Sequence, residues 1–209
     1  MDKILCSFFE YLLNNWIAIS ALIISSITLN RNKIKLDVDI EKNARWILAI
    51  RLDDGSSIIN ENGMLIVNIK VINPSNFDIG YFDLNVVDTK NNSELHPYQG
   101  SQFSTLNNIN SNKASSYFGI DQNSYSLDLP TSNYGILKAR SLTSIDIVVS
   151  PESEISEIYV LFKITKRKPL FKKSKHGFIN SPYEQYASLI QVEQSSKPDY
   201  GPLLALLHT

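Results

Sequence analysis

Residues 14–40 read "NNWIAISALIISSITLNRNKIKLDVDI", and the division of this stretch decides the fold. From Trp16 to Leu29 no residue is charged. Fourteen helical residues at about 1.5 Å each give roughly 21 Å, short of the roughly 30 Å hydrocarbon core of a bilayer. Extending back to Phe8 gives about 22 residues and roughly 33 Å, with Glu10, Asn14 and Asn15 inside. This reading predicts one N-terminal transmembrane helix, with Tyr11 and Trp16 as the amphipathic rings that headgroup regions favour. Ile4, Leu5, Phe8, Phe9 and Leu12 fall at helical spacing and give the span an interfacial start.

Two readings compete with the anchor. A secretion signal needs a basic amino end and a small-residue cleavage site, whereas Lys3 is set against Asp2 and Glu10. A buried core helix is the other, since the uncharged run alone is short. On the anchor reading Arg31, Lys33 and Lys35 follow the span and only Lys3 precedes it, so residues 31 onward face the cytoplasm. The expected location is the cell inner membrane, single-pass, with a cytoplasmic C-terminal domain.

After the run the hydrophobic period becomes two. In "IKLDVDIE" Ile34, Leu36, Val38 and Ile40 alternate with Lys35, Asp37, Asp39 and Glu41, the pattern of a strand with one buried and one wet face. Trp46, Leu48, Ile50 and Leu52 continue it, then Leu65, Val67, Ile69 and Val71, until Pro74 stops the strand because proline cannot donate to a ladder. Phe82, Leu84 and Val86 mark the next strand, and others fall near residues 116–120, 142–149, 157–166 and 186–193. Short strands separated by turns, with no long helical pattern after the anchor, predict an all-β fold, an antiparallel β-sandwich of immunoglobulin-like type. The domains are then an anchor at 1–30, a β-sandwich at 31–194 and a tail at 195–209. Residues 89–135, rich in Asn, Ser, Tyr and Gly, yield a single expected strand and otherwise read as a long functional loop or as missed strands.

The stretch "LIVNIKVINPSNFDIGYFDLNVVD", a strand, an Asn-Pro turn and a returning strand, is similar to a recurring theme of immunoglobulin-like sandwiches. Together with "NNWIAISALIISSITLNRNK" it resembles the small single-span membrane proteins of low-GC Gram-positive bacteria and their mobile elements. The resemblance covers about the first 90 residues and carries over no functional residue. It implies a bacterial inner-membrane protein from a gene set concerned with phage or foreign DNA.

Little here points to catalysis. His96, His176 and His208 have no metal-site spacing, and there is no Gly-rich phosphate loop and no nucleophile elbow, so no enzyme activity, metal or cofactor is expected. The lone cysteine, Cys6, excludes an intrachain disulfide. Asp53 and Asp54 beside Gly55 read as a solvated turn rather than a cation site.

The net charge of -1 offers no whole-chain field. The charge is nevertheless segregated, because "KITKRKPLFKKSKHG" holds Lys163, Lys166, Arg167, Lys168, Lys172, Lys173 and Lys175, and no acid lies between Ile158 and Tyr183. Phe171 sits within the run and Phe178 and Tyr183 follow it, which suits either base stacking or interfacial insertion. Lysines on a solvated hairpin also protect strand edges from aggregation, and that reading stays open. The expected role is a non-catalytic binding module. It docks a protein partner through this basic hairpin and the Asn-rich loop, while the N-terminal helix holds the lipid bilayer. The alternative is an effector or sensor that binds a polyanion, nucleic acid or anionic lipid, in phage defence or exclusion. Counting strands from the membrane puts the hairpin at the distal end, unless residues 89–135 hide a further strand.

Overall fold

The computed structural model describes residues 14–31, 36–60, 62–105, 114–121, 123–152, 154–165, 183–193 and 197. The chain separates into two compact units, residues 1–35 and 36–209.

The first unit carries helix α1 (Trp16–Arg31), 16 residues long. At about 1.5 Å per residue this is roughly 24 Å, less than a bilayer core. No helix among the described residues is long and apolar enough to cross a membrane. The expected transmembrane helix is therefore corrected to a shorter one, and the single-pass topology with a cytoplasmic domain loses the span on which it rested. The added turns from Phe8 that would have completed the span lie outside the described residues. α1 has no polar stripe, its Ser and Thr residues being scattered round the axis, and Trp16, Ile17, Leu22, Ile23, Ile24 and Ile27 are each more than 50% exposed.

The second unit is built from strands. In its first part these are β1 (Asp37–Ile40), β2 (Asn43–Leu52), β3 (Ser57–Ile58), β4 (Met64–Asn73), β5 (Ile79–Asp88) and β6 (Ser93–Leu95). A short helix, α2 (Gly100–Thr105), precedes β7 (Ala114–Gly119), β8 (Ser124–Ser126) and β9 (Gly135–Leu137). The long strands β10 (Ser141–Val149), β11 (Glu157–Thr165) and β12 (Tyr183–Val192) complete it. The stretch expected to hold one strand thus holds β6, β7, β8 and the first residue of β9. Three of these have only three residues, too few to show a period.

All twelve strands belong to one hydrogen-bonded sheet. Its halves are β1, β2, β3, β4, β7, β8 and β10 on one side and β5, β6, β9, β11 and β12 on the other, joined where β12 meets β2. That junction is parallel, with Gln191 beside Asn43 and Val192 beside Ala44, whereas every other pairing is antiparallel. The expected antiparallel immunoglobulin-like β-sandwich is corrected accordingly: the fold is a mixed 12-stranded sheet. Alternation along a chain sets the direction of neighbouring hairpin strands, but β2 and β12 meet from opposite ends of the sequence, where alternation has no say.

The core explains the strands' composition. On β11 Ile158, Val160, Phe162 and Ile164 are all buried while Tyr159, Leu161 and Lys163 are only half covered. Burying each such apolar side chain contributes about 1.5–3 kcal/mol. β4 departs from simple alternation, because Met64, Leu65, Ile66 and Val67 are all buried. Its second face is covered by a smaller cluster of Ile47, Ile50, Met64, Ile66, Tyr117, Leu127 and Val148. Asn73 ends β4 before Pro74 with its amide fully used. Its Nδ2 donates to the carbonyls of Phe77 (3.0 Å) and Leu137 (2.9 Å), and its Oδ1 accepts from Ser75 N and Oγ.

Candidate functional site

Strand direction locates the basic run. β12 runs parallel to β2 and alongside β1, so Tyr183, where β12 begins, lies at the end of the sheet where Leu36 and Asp37 begin β1. This may be called the entry end. The strand count that put the basic hairpin at the far end fails at its first step, because β1 and β2 both pair antiparallel with β4 and so run the same way instead of reversing. The Asn-rich stretch meets β7 at Ala114, which pairs with Leu52 at the opposite end of β2. The two elements expected to share one contact surface are therefore rooted at opposite ends.

Of the expected contact residues, Lys163 alone is described. It belongs to β11, not to a hairpin, and its Nζ donates to Asp83 Oδ2 at 2.9 Å while lying 4.9 Å from the centre of the Tyr183 ring. The hydrogen bond to Asp83 holds the ammonium pKa above its usual value. Asp83 reaches it from a bulge in β5, where Asp83 and Leu84 face one residue of β11 and Asp83 has φ 54°. Aspartate tolerates that left-handed conformation better than most side chains. Lys166, Arg167, Lys168, Phe171, Lys172, Lys173 and Lys175 lie outside the described residues.

Around the root of the run the entry end is aromatic. Phe82 packs edge-on to Tyr183 at 6.0 Å, Tyr81 edge-on to Phe162 at 6.4 Å, and Phe162 stacks on Tyr186 at 5.3 Å. Burial, with Glu184 beside it, pushes the Tyr186 hydroxyl up to about 12. Exposed apolar side chains gather here as well: Ile72 and Leu142, register partners across β4 and β10, and Tyr134 and Ile136 at β9, which pairs with the start of β5. Sequence reasoning did not single out these four, since Ile72 and Leu142 fall within expected strands and no strand was expected at Tyr134 and Ile136.

A polar depression of about 370 Å³ opens on the outer face of β1, β4 and β10. Along β4 that face grades from buried Met64 and Ile66 to Asn68, Lys70 and Ile72. Asn68 Nδ2 donates to Asp146 Oδ1 at 2.7 Å and to Ser144 Oγ at 2.8 Å, and the Asp128 amide donates to Asp146 Oδ2 at 2.8 Å. Asp146, 7% exposed, thus fastens the chain after β8 to β10, with Asp146 N donating back to Asp128 O. Arg45 pairs with Glu41 at 3.3 Å on its rim. Burial raises the Tyr117 hydroxyl there, with Arg45 acting the other way. His96 is exposed, and no cluster of metal ligands occurs among the described residues. Asp54, at the turn flagged in the sequence, accepts from Ser56 N and Oγ, which closes the turn.

No family model matches the chain, and no curated protein matches it. A solved structure of a Bacillus subtilis chain assigned as a lipoprotein (ycdA) is similar at 11% identity over 77% of this chain and 38% of that one, with a TM-score of 0.34. The chain spans well under half the length of that structure, and so slight a likeness carries neither fold nor function across.

Proposed function

We propose that the strand-built unit is a non-catalytic binding module that docks a protein partner with the entry end of its sheet. The observation that carries this is the gathering of exposed Ile72, Leu142, Tyr134 and Ile136 at the end where the cation-rich segment begins. Apolar side chains supply contact area to a docked partner, and a run of six cations from Lys166 to Lys175 steers association with an acidic surface. The polar side chains of the depression support a non-catalytic role, because Asn68 and Asp146 are consumed in holding strands together.

The test is a photo-crosslinking amino acid placed at Tyr134 or Ile136 in full-length protein within the expressing cell. A discrete protein adduct is expected from both positions and none from Ile58 at the far end. Neutralising Lys166, Arg167, Lys168, Lys172 and Lys173 together removes it. Adducts of equal yield from Ile58, or adducts unaffected by neutralisation, contradict the reading.

A second reading has its own observation. α1 is apolar on every side, and the strand that follows it in the chain starts at the same entry end as the cationic segment. An apolar element together with a polybasic segment is the two-signal arrangement that holds proteins to an anionic lipid surface. Co-sedimentation of the full chain with vesicles of 30% phosphatidylserine, lost at high salt and lost on the same neutralisation, favours this reading over a protein partner.

A further inference from the structure

β1 and β12 diverge from their parallel junction toward the entry end and leave a cleft of about 470 Å³ between Leu36–Ile40 and Tyr186–Ser188. Along the cleft, among the described residues, each strand has one paired edge and one open edge. Glu41 N donates to Asn68 O, so by the alternation of an antiparallel ladder Val38 and Ile40 turn their N–H and C=O groups away from β4, toward the cleft. On the other wall Val192 N donates to Ser156 O and Gln191 N crosses to Lys42 O. The same alternation makes Gln185, Ala187 and Leu189 present theirs to the cleft. Two facing rows of unpaired backbone groups, converging on a closed apex, are a template for one more strand.

We infer that this cleft receives an extended strand of a partner protein, about four to five residues long, hydrogen-bonded to β1 and β12 at once. The inference rests on the protein-docking reading and names its contact. Side chains on the walls fix the chemistry of the occupant. Val38, Ile40 and Tyr186 are half-buried and lie on the core side of the sheet, so alternate residues of the incoming strand are apolar. Asp37 and Asp39 are exposed on the outer side and form no ion pair among the described residues, so the residues between are Lys or Arg. Opposite charges on neighbouring strands of a sheet fix register as well as adding attraction.

The probe is a synthetic peptide alternating Val and Lys over six residues, set against a peptide of the same composition with its three valines and three lysines in blocks. Hydrogen exchange of the full chain is the readout. The alternating peptide is expected to slow exchange at Val38, Ile40, Ala187 and Leu189 at least about tenfold, while the block peptide leaves them unchanged. Val38→Pro and, separately, Ala187→Pro each delete an N–H that faces the cleft rather than a ladder bond, so each abolishes the protection while the amides of β4 and β11 stay slow. No protection from the alternating peptide, equal protection from the block peptide, or protection that survives both prolines overturns the inference. Crosslinking at Tyr134 and Ile136 does not pass through the cleft, so loss of this inference leaves the docking result standing, and the two failures are told apart.

Discussion

Lys163 on β11 and Asp83 on β5 are 80 residues apart in sequence and 2.9 Å apart in space, and they meet because Asp83 occupies a bulge with φ 54°. A side chain at that backbone angle is strained unless it is Gly, Asn or Asp. Asp83→Val should therefore destabilise the protein by about 1–2 kcal/mol from the backbone alone. Asp83→Gly relieves the strain and gives up only a partly exposed ion pair, which contributes little to folding. Chemical denaturation of the two variants ranks them. Equal losses would show that the bulge is unimportant.

Asp146 and Asn68 form the other polar pair on which strands depend. Asp146→Ala removes the acceptor of the Asp128 N–H and one of the two acceptors of the half-buried Asn68 amide, which keeps Ser144 Oγ, and each lost hydrogen bond costs about 0.5–1.5 kcal/mol. Asn68→Ala should cost a similar amount, and the double variant less than the sum, since the two share one bond. Full additivity in denaturation would deny the coupling.

Alkaline pH should weaken the fold through Tyr186. Its folded pKa is raised to about 12, above the ordinary tyrosine value of 10.0, by burial and then by Glu184. The folded state therefore holds the proton more tightly, so this contribution is intact below pH 10.0 and is lost as pH rises from there toward about 12. Tyr186→Phe removes the dependence. Tyrosinate absorbance together with denaturation midpoints at several pH values checks both statements.

The two tryptophans report on separate units. Trp46 is 3% exposed, with its indole N–H donating to Glu193 O at 3.2 Å, whereas Trp16 is 62% exposed. In Trp16→Phe the emission should be blue-shifted and move red on unfolding, while in Trp46→Phe the remaining emission should change little when the strands unfold. A blue-shifted Trp16 in the folded monomer would contradict the exposure of α1.

Much of the strand content is legible in the sequence, since the alternations at Asp37–Ile40, Ile79–Asp88 and Glu157–Thr165 each place a strand within a few residues. Trp46–Ile50 and Met64–Val67 resist a one-face reading because a second cluster covers their outer side, so nearly every position is apolar. The strands β6, β8 and β9 are too short for periodicity to show. Strand direction is the larger loss. Nothing local to "EQYASLIQV" says that its end will lie along "NA" at 43–44, and without that contact the end at which the basic run is rooted cannot be read. Lys163 looks like one more surface cation until Asp83 is placed beside it, and Tyr134 and Ile136 lie where no strand is expected until β9 is seen pairing with β5.

The entry-end account depends on β12 running parallel to β2, and one disulfide measures that directly. Asn43 and Gln191 are register partners on exposed positions, so their Cα separation falls in the disulfide range of about 4.4–6.8 Å. In a Cys6→Ser background, Asn43→Cys with Gln191→Cys should close an intramolecular bond under mild oxidation, while Asn43→Cys with Gln185→Cys should not. Closure of the second pair and not the first would reverse β12, move the basic run to the far end, and contradict the account.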